Sequence, residues 1–275
     1  MFWVELTSDA FPEAVRRAEG VCLVPLGCVE RHAHHLPLFT DMMTAREVCR
    51  RASELEPAVI FPDIYFTQIL EARHVPGTVA VSPDLMLRLL DEVCAEIARN
   101  GLHKVVLVNG HGGNNNLLHF FLQSRLARPY DYVAYLAEPK LLPEDEAEIA
   151  GQWESTVDGH AGEVETSIMA ALRPDLVHWE ALPGDGEGLP QGRLAALQDA
   201  GIRTSNWWYA DHPTHYCGDG RPGTAEKGER LLDAMARALA RAVRLIKEDT
   251  ETRRLLDEFA AAADAPVQMK ERGHG

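Results

Sequence analysis

Residues 21–41 read VCLVPLGCVERHAHHLPLFTD, and this stretch decides the fold class. Its first seven residues form an apolar run that ends at Gly27, which is typical of a strand buried in a parallel sheet. A polar loop rich in His, Glu and Asp follows the run. After Asp41 the apolar residues recur with helical spacing. The order of buried strand, polar loop and helix predicts one βα unit of an α/β protein.

The same order repeats along the chain. Three further apolar runs predict strands at 59–66, 104–108 and 131–137. An amphipathic stretch between Ser82 and Gly101 predicts a helix with Pro in its first turn and Gly just past its end. Residues 163–172 and 224–263 also read as mostly helical. We therefore predict an α/β sandwich with a mainly parallel sheet. Neither an internal repeat nor a linker is visible, so we predict a single domain over residues 1–275.

Composition excludes several classes of function. The chain of 275 residues has 27 Lys and Arg against 42 Asp and Glu, a formal net charge of −15. This acidity argues against a nucleic-acid or membrane partner, because phosphates and anionic lipids require clustered basic residues. No apolar run reaches the roughly 18 residues of a membrane span, and the N-terminus lacks the pattern of a signal peptide. The five cysteines form no CxxC pair, which favours a reducing, cytoplasmic location.

Three polar clusters carry the chemistry, and the first lies at 30–41. Glu30 and His32 are two residues apart, so their side chains point the same way on an extended segment. Asp41 follows a Pro-containing loop and has two possible roles, as a helix N-cap or as a metal ligand. Three His, one Glu and one Asp within twelve residues favour a site for Zn, Mn or Fe.

The other two clusters follow later in the chain. In NGHGGN at 109–114, directly after a predicted strand, His111 is the only strong ligand. A Gly-rich turn could instead hold a phosphate, although the spacing of known phosphate motifs is missing. HAGEVETS at 160–167 opens a predicted helix and could equally be an acid-rich first turn. Because ligands gather at the carboxyl ends of parallel strands, we expect the clusters to meet there.

Together these motifs resemble the creatininase (creatinine amidohydrolase) family. The match rests on G-x-x-E-x-H-x-x-H-L-P-L-x-T-D at 27–41, N-G-H-G-G-N at 109–114 and H-A-G-E-x-E-T-S at 160–167. A weaker fourth element is HVPGT at 74–78. The resemblance implies a three-layer α/β/α sandwich and a hydrolase with two divalent metal ions per chain, usually assembled as a hexamer. It therefore favours a homo-oligomer.

The resemblance also implies roles for individual residues. Glu30 and His111 would bind one ion, His32 would bind the other, and Asp41 would bridge them. In creatininase proper, a Glu two residues after the histidine of NGH completes the second site. Here that position is Gly113, so the ligand must come from elsewhere.

The third motif is the expected source of that ligand. We favour Glu165, because the E-T-S element is shared throughout the family, and Glu163 is the alternative. Whichever of the two is not a ligand would lie beside the catalytic water. His160 would then be the acid–base residue that faces the substrate.

The departure at Gly113 indicates a creatininase-like relative rather than creatininase itself. We predict a hydrolase that cleaves the C–N bond of a small cyclic amide or amide through a water activated between the two metals. The alternatives are hydrolysis of a cyclic ketone of a sugar or inositol derivative and a non-catalytic metal-binding scaffold. Cys28 lacks a base of its own and is interpreted as packing. The aromatic and His-rich stretch at 206–216 is either a substrate lid or a subunit contact.

Overall fold

Four parallel strands form the central sheet of the computed structural model, which describes residues 1–138 and 140–266. The strands are β1 (Val21–Leu26), β2 (Val59–Ile60), β3 (Lys104–Asn109) and β4 (Val133–Ala137), in the order β2-β1-β3-β4. The helices in these residues are α1 (Phe11–Arg17), α2 (Thr40–Leu55), α3 (Pro83–Arg99), α4 (Asn115–Ser124), α5 (Pro143–Ile149), α6 (Glu163–Leu172), α7 (Ala195–Asp199), α8 (Trp207–Asp211), α9 (Ala225–Glu248) and α10 (Glu251–Asp264).

Helices cover both faces of the sheet. Side chains of β1 alternate between two cores, with Cys22 and Val24 facing a cluster that includes residues of α3 and α4. Val21 and Leu23 face a second cluster with residues of α2 and α9. All six residues of β1 are buried, as expected for a strand between two helical layers. The predicted three-layer α/β/α sandwich is therefore confirmed.

Several predicted boundaries differ from the structure. The strand expected at 59–66 pairs regularly with β1 only over Val59–Ile60, because Pro62 lacks an N–H to donate. Beyond Pro62 the chain stays beside β1 through an isolated parallel bridge between Leu26 and Ile64. The long C-terminal helix is two helices, α9 and α10, and Thr224 caps the first of them. The helix from Pro83, with Ser82 as its N-cap, and the helix over 163–172 are confirmed.

The predicted domain of 1–275 extends beyond the described residues and stays a prediction. Within the described part of the chain, no helix is both long and apolar enough to cross a membrane.

Two glycines bring the start of α2 against the strand ends. A Cβ on Gly27 would lie 2.7 Å from both the N and Cα atoms of Met42. A Cβ on Gly110 would lie 2.6 Å from the carbonyl oxygen of Asp41. Only residues without a side chain allow this close approach of backbones. The first turn of α2, which carries Asp41, is thereby held at the carboxyl ends of β1 and β3.

Candidate metal centre

The carboxyl ends of β1 and β3 deliver most of the polar side chains of the site. Glu30 and His32 lie in the loop after β1, and His111 lies two residues after β3. All three are buried, with relative exposures of 0%, 0% and 6%. Burial of so many ionisable groups is costly unless they are paired or bind a metal.

Asp41 lies at the centre of the cluster. Its Oδ1 is 3.0 Å from His32 Nε2, and its Oδ2 is 3.0 Å from His111 Nδ1. The same His111 Nδ1 is 2.9 Å from Glu30 Oε1. Asp41 lies within α2 and caps nothing, since the N-cap position is Phe39. The N-cap alternative for Asp41 is therefore wrong, and its two oxygens face two different imidazoles.

Glu165 completes the His32 side of the cluster. It lies in the first turn of α6, and its Oε2 is 3.7 Å from His32 Nε2. The same oxygen accepts a hydrogen bond from the backbone N–H of Ala161 at 2.5 Å. The side chain of Glu165 is 27% exposed, whereas that of His32 is fully buried. This edge of the cluster is thus its more open side.

Glu163 does not lie with these residues. Its Oε2 accepts hydrogen bonds from the backbone N–H groups of Glu154 and Ser155, at 2.9 and 2.7 Å. Its Oε1 is 2.6 Å from Lys227 Nζ. Residues two apart on a helix point to nearly opposite faces, so Glu163 and Glu165 cannot share one site. The contacts of Glu163 give it a structural role, and its predicted place beside the catalytic water has no support in them.

His160 lies three residues before α6, where it pairs with Cys217 in an isolated bridge. Its ring is 4.4 Å from the ring of His32, centroid to centroid. Its Nε2 donates a hydrogen bond to the carbonyl oxygen of Arg31 at 2.7 Å. The other nitrogen, Nδ1, is 3.9 Å from Glu165 Oε2. The ring is thus held at Nε2 and faces the open edge of the cluster through Nδ1.

His215 also reaches the centre, although the sequence analysis did not select it. Its Nε2 is 2.5 Å from Glu30 Oε2, and its Nδ1 accepts a hydrogen bond from Trp208 Nε1 at 2.8 Å. The one signal in the sequence was the density of His and aromatic residues at 206–216. Without local periodicity, that density could not identify a partner 185 positions away.

Three residues of the site region adopt positive φ without being glycine. They are Ala33, Ala161 and His215, with φ of 52°, 55° and 57°. Residues that carry a side chain rarely adopt this backbone conformation, which costs about 1 kcal/mol or more per residue. Ala33 and Ala161 directly follow His32 and His160, so each strained residue is at or next to a histidine of the cluster. The surrounding packing must therefore over-determine the backbone here.

The charges of the cluster shift one another. Burial lowers the pKa of His32, but the carboxylates of Asp41 and Glu165 outweigh it and raise that pKa to about 10. Burial likewise lowers the pKa of His111, which Glu30 and Asp41 hold well above its usual value. Burial raises the pKa of Glu30, yet the imidazoles of His160 and His111 keep it well below the usual range. In the metal-free protein, protons on the histidines thus balance the charge of the carboxylates.

Cys28 contacts the cluster too. Its Sγ is 3.1 Å from Asp41 Oδ2, within reach of a hydrogen bond from the thiol. Burial and the carboxylates of Asp41 and Glu30 raise the pKa of this thiol far above its usual value. Cys28 is therefore a protonated donor to Asp41, which adds to the packing role that the sequence suggested.

The comparisons with known proteins agree with this geometry. Residues 4–243 match the family model for creatininase, described as creatinine amidohydrolase. The chain belongs to the creatininase family. As a member of that family it is a metal-dependent hydrolase, and the motifs at 27–41, 109–114 and 160–167 all lie within the matched residues.

Individual relatives span most of the chain. The mycofactocin precursor peptide peptidase of Mycolicibacterium smegmatis is 30% identical over 235 residues, 79% of this chain and 82% of the relative. The 3-dehydro-scyllo-inosose hydrolase of Thermotoga maritima is 23% identical over 269 residues, 90% of this chain and 84% of the relative. A crystal structure of creatinine amidohydrolase (creatininase) has a TM-score of 0.73 at 23% identity, covering 90% of this chain and 98% of that one.

Proposed function

We propose that this chain of the creatininase family hydrolyses the C–N bond of a small cyclic amide or amide substrate at a centre of two divalent metal ions. The observation that carries the proposal is the position of Asp41. Its two oxygens are each 3.0 Å from an imidazole nitrogen, one on His111 and one on His32. One carboxylate between two separate ligand sets is the arrangement that a bridging ligand requires.

The donor set fits two such ions. Glu30, Asp41 and His111 would hold one ion, and His32, Asp41 and Glu165 would hold the other. Carboxylate and imidazole ligands suit Zn, Mn or Fe. Ligands at about 2.0–2.2 Å from one tetrahedral ion lie roughly 3.3–3.6 Å apart, close to the separations in this cluster. Glu30 Oε1 is buried and accepts no hydrogen bond from the described residues, as expected for an atom that would bind a cation.

The remaining residues would serve the reaction from the open edge. Ions bound here would lower the pKa of a water molecule and polarise the carbonyl group under attack. His160 would hold or release a proton at Nδ1, because its Nε2–H is committed to the carbonyl oxygen of Arg31. Glu165 lies on the same exposed side, so a substrate would approach between Glu165 and His160.

Substrate class rests on the relatives. A peptide peptidase at 30% identity favours an amide-type bond. The alternative of a cyclic ketone substrate is supported by the inosose hydrolase, which spans more of the chain at lower identity. We choose the amide substrate because the peptidase is the more identical of these two relatives. A non-catalytic scaffold is not proposed, since the chain belongs to a family of enzymes.

Metal content tests the centre. We expect elemental analysis of protein purified without chelator and reconstituted with Zn²⁺ or Mn²⁺ to give two ions per chain. Asp41→Ala should lose both ions, because each ligand set shares that residue. Asp158→Asn is the control variant for loss of a carboxylate. The Asp158 side chain accepts a hydrogen bond from the backbone N–H of Val164 at the start of α6 and belongs to neither proposed ligand set. A wild-type stoichiometry below two would reject the binuclear centre.

A substrate panel tests the reaction. We expect the metal-loaded enzyme to hydrolyse at least one of three probes, either by opening the ring of a cyclic amide or by releasing an amine from a formamide or a short peptide. His160→Gln should keep both ions and lose turnover by roughly 10²–10⁴-fold, the usual contribution of a positioned acid or base. Turnover of an inosose with no turnover of any amide would instead establish the alternative. Full activity of His160→Gln would remove its assigned role.

The setting of the enzyme is also part of the proposal. The five cysteines are all buried and unbridged, which supports a reducing, cytoplasmic environment. A small-molecule substrate, with neither nucleic acid nor membrane as partner, suits the net charge of −15.

A further inference from the structure

We propose that Trp208 and His215 form a positioning pair that fixes the metal ligand Glu30 and so presets one half of the metal centre. Neither residue belongs to the donor set of the proposed function, on which this inference rests. Both come from the segment 206–216 that the family motifs do not include.

Hydrogen-bond chemistry determines the tautomer of His215. The indole Nε1–H of Trp208 can only donate, and it lies 2.8 Å from His215 Nδ1. That nitrogen must therefore accept and carry no proton. The proton of the neutral imidazole is then on Nε2, which donates it to Glu30 Oε2 at 2.5 Å. In a doubly protonated ring, the Nδ1–H of His215 would face the Nε1–H of Trp208, and the hydrogen bond between the two residues would be lost.

The pair leaves one oxygen of Glu30 for a cation. Oε2 accepts the hydrogen bond from His215. Oε1 is 2.9 Å from His111 Nδ1 and has no hydrogen-bond partner within residues 1–138 and 140–266. A carboxylate held at one oxygen presents the other in a fixed direction. Partners that orient a ligand in this way commonly change metal affinity by 10–100-fold when removed.

The backbone is arranged to bring this ring to Glu30. His215 adopts a φ of 57°, and its N–H donates to the carbonyl oxygen of His212 in a tight turn. The turn is anchored from outside by His74, whose Nε2 donates to the carbonyl oxygen of Pro213 at 2.9 Å. The ring of His215 is buried, with 2% of the residue exposed. A strained, anchored and buried histidine that contacts a ligand carboxylate is placed for that contact.

Four variants separate this role from simple packing. His215→Leu removes the donor, whereas His215→Gln keeps an N–H donor in a similar place. Trp208→Phe keeps an aromatic ring but removes the indole N–H. Trp207→Phe is the matched control, because Trp207 is 44% exposed and neighbours Trp208. Zn²⁺ affinity is measured for each folded protein by competition with a chromophoric chelator, alongside melting temperature.

We expect His215→Leu to weaken one of the two zinc sites by roughly 10–100-fold and leave the other nearly unchanged. His215→Gln should recover most of the loss, Trp208→Phe should weaken the same site less, and Trp207→Phe should match wild type. In ¹⁵N-histidine spectra of metal-free and zinc-loaded protein, His215 should carry its proton on Nε2 in both states.

Two results would overturn the inference. The first is wild-type zinc affinity in folded His215→Leu. If that variant does not fold, the equivalent result is wild-type zinc affinity in Trp208→Phe together with an Nδ1–H tautomer of His215 in the spectra of the wild-type protein. The second is loss of the Nε2 proton on adding zinc, which would make His215 a ligand itself. Failure of the wild-type protein to bind zinc would instead reject the proposed function, so the two failures are distinguishable.

Discussion

At the scale of single residues, Glu163 and Glu165 lie in the same turn of α6 but make different contacts. Glu165 faces His32, and Glu163 is fully buried against Lys227 and two backbone N–H groups. A buried carboxylate with three donors stabilises the fold, whereas a partly exposed carboxylate beside an imidazole is available to a metal. The two residues therefore differ in what their loss should change.

We expect Glu165→Gln to weaken binding of the ion at His32 by at least 10-fold while the melting temperature of the protein stays the same. Glu163→Gln should instead lower stability by about 1–3 kcal/mol, because Lys227 loses its buried acidic partner and keeps the ion pair with the exposed Glu154. Calorimetry and zinc titration of both variants check this. Loss of the second ion in Glu163→Gln, with a normal Glu165→Gln, would reverse the assignment.

His32 links stability to pH in the metal-free protein. Its folded pKa of about 10 lies above the value of roughly 6.5 expected in the unfolded chain. The folded state therefore binds the proton more tightly, which stabilises it fully below the unfolded pKa and progressively less as pH rises to about 10.

We thus expect the melting temperature of chelator-treated protein to fall between about pH 7 and pH 10. His32→Asn should flatten this decline, whereas His119→Asn, at an exposed site, should not. Zinc-loaded protein should also decline less, since cations replace the protons. A melting temperature that rises over this range would contradict the charge arrangement around His32.

At the scale of elements, the contact of α2 with the strand ends sets the position of Asp41. The Cβ that Gly27→Ala adds would meet backbone atoms of Met42 at 2.7 Å, and backbone cannot rotate away. We expect Gly27→Ala to destabilise the fold by about 1–3 kcal/mol and to weaken metal binding, because α2 must move. Gly151→Ala is the control, since its Cβ would meet no atom of the described part of the chain within 4 Å.

Denaturant unfolding and zinc titration of both glycine variants give the measurement. Equal stability and equal zinc affinity of Gly27→Ala and Gly151→Ala would show that α2 has room to shift. A loss confined to stability would mean that Asp41 keeps its place although the helix moves.

Elements with strong local patterns could be predicted from the sequence. Buried runs such as 21–27 and the capped helix from Ser82 identify themselves by apolar pattern and end signals. The strand at 59–66 was overestimated because β-forming residues continue past Ile60, where regular pairing with β1 gives way to one isolated bridge at Ile64. Pairing depends on where the chain goes next, which local pattern does not contain.

The site was predictable to the extent that its residues lie in short motifs. Glu30, His32 and His111 follow strands whose ends meet in any parallel sheet. For Asp41 the sequence left two roles open, helix N-cap and metal ligand. His215 was missed because its contact with Glu30 depends on the strained turn at 212–215. The choice between Glu163 and Glu165 followed family resemblance, yet helix geometry makes the distinction in the structure.

At the scale of the whole molecule, net charge and exposed apolar surface have opposite effects on the association of identical chains. The chain carries a net charge of −15, so identical copies repel. The face beside β4, an edge strand, has a groove of about 330 Å³ whose lining includes Leu126, Tyr130 and Phe259. Leu126 and Phe259 are each 45% exposed. Exposed apolar side chains that line a groove suit burial against a second copy.

We expect the protein to form a homo-oligomer, as its resemblance to the creatininase family implies, and the assembly to tighten as salt increases. Screening at about 0.3 M salt weakens repulsion between acidic chains, while burial of apolar groups is retained. Analytical ultracentrifugation at low and high salt measures this, and Phe259→Asp should shift the distribution to smaller species. Val4→Asp, which also places an acid at an exposed apolar residue, is the control. A single species of 30.5 kDa at every concentration would contradict the oligomer. Tighter association at low salt would contradict the role of charge, and a wild-type distribution for Phe259→Asp would place the interface elsewhere.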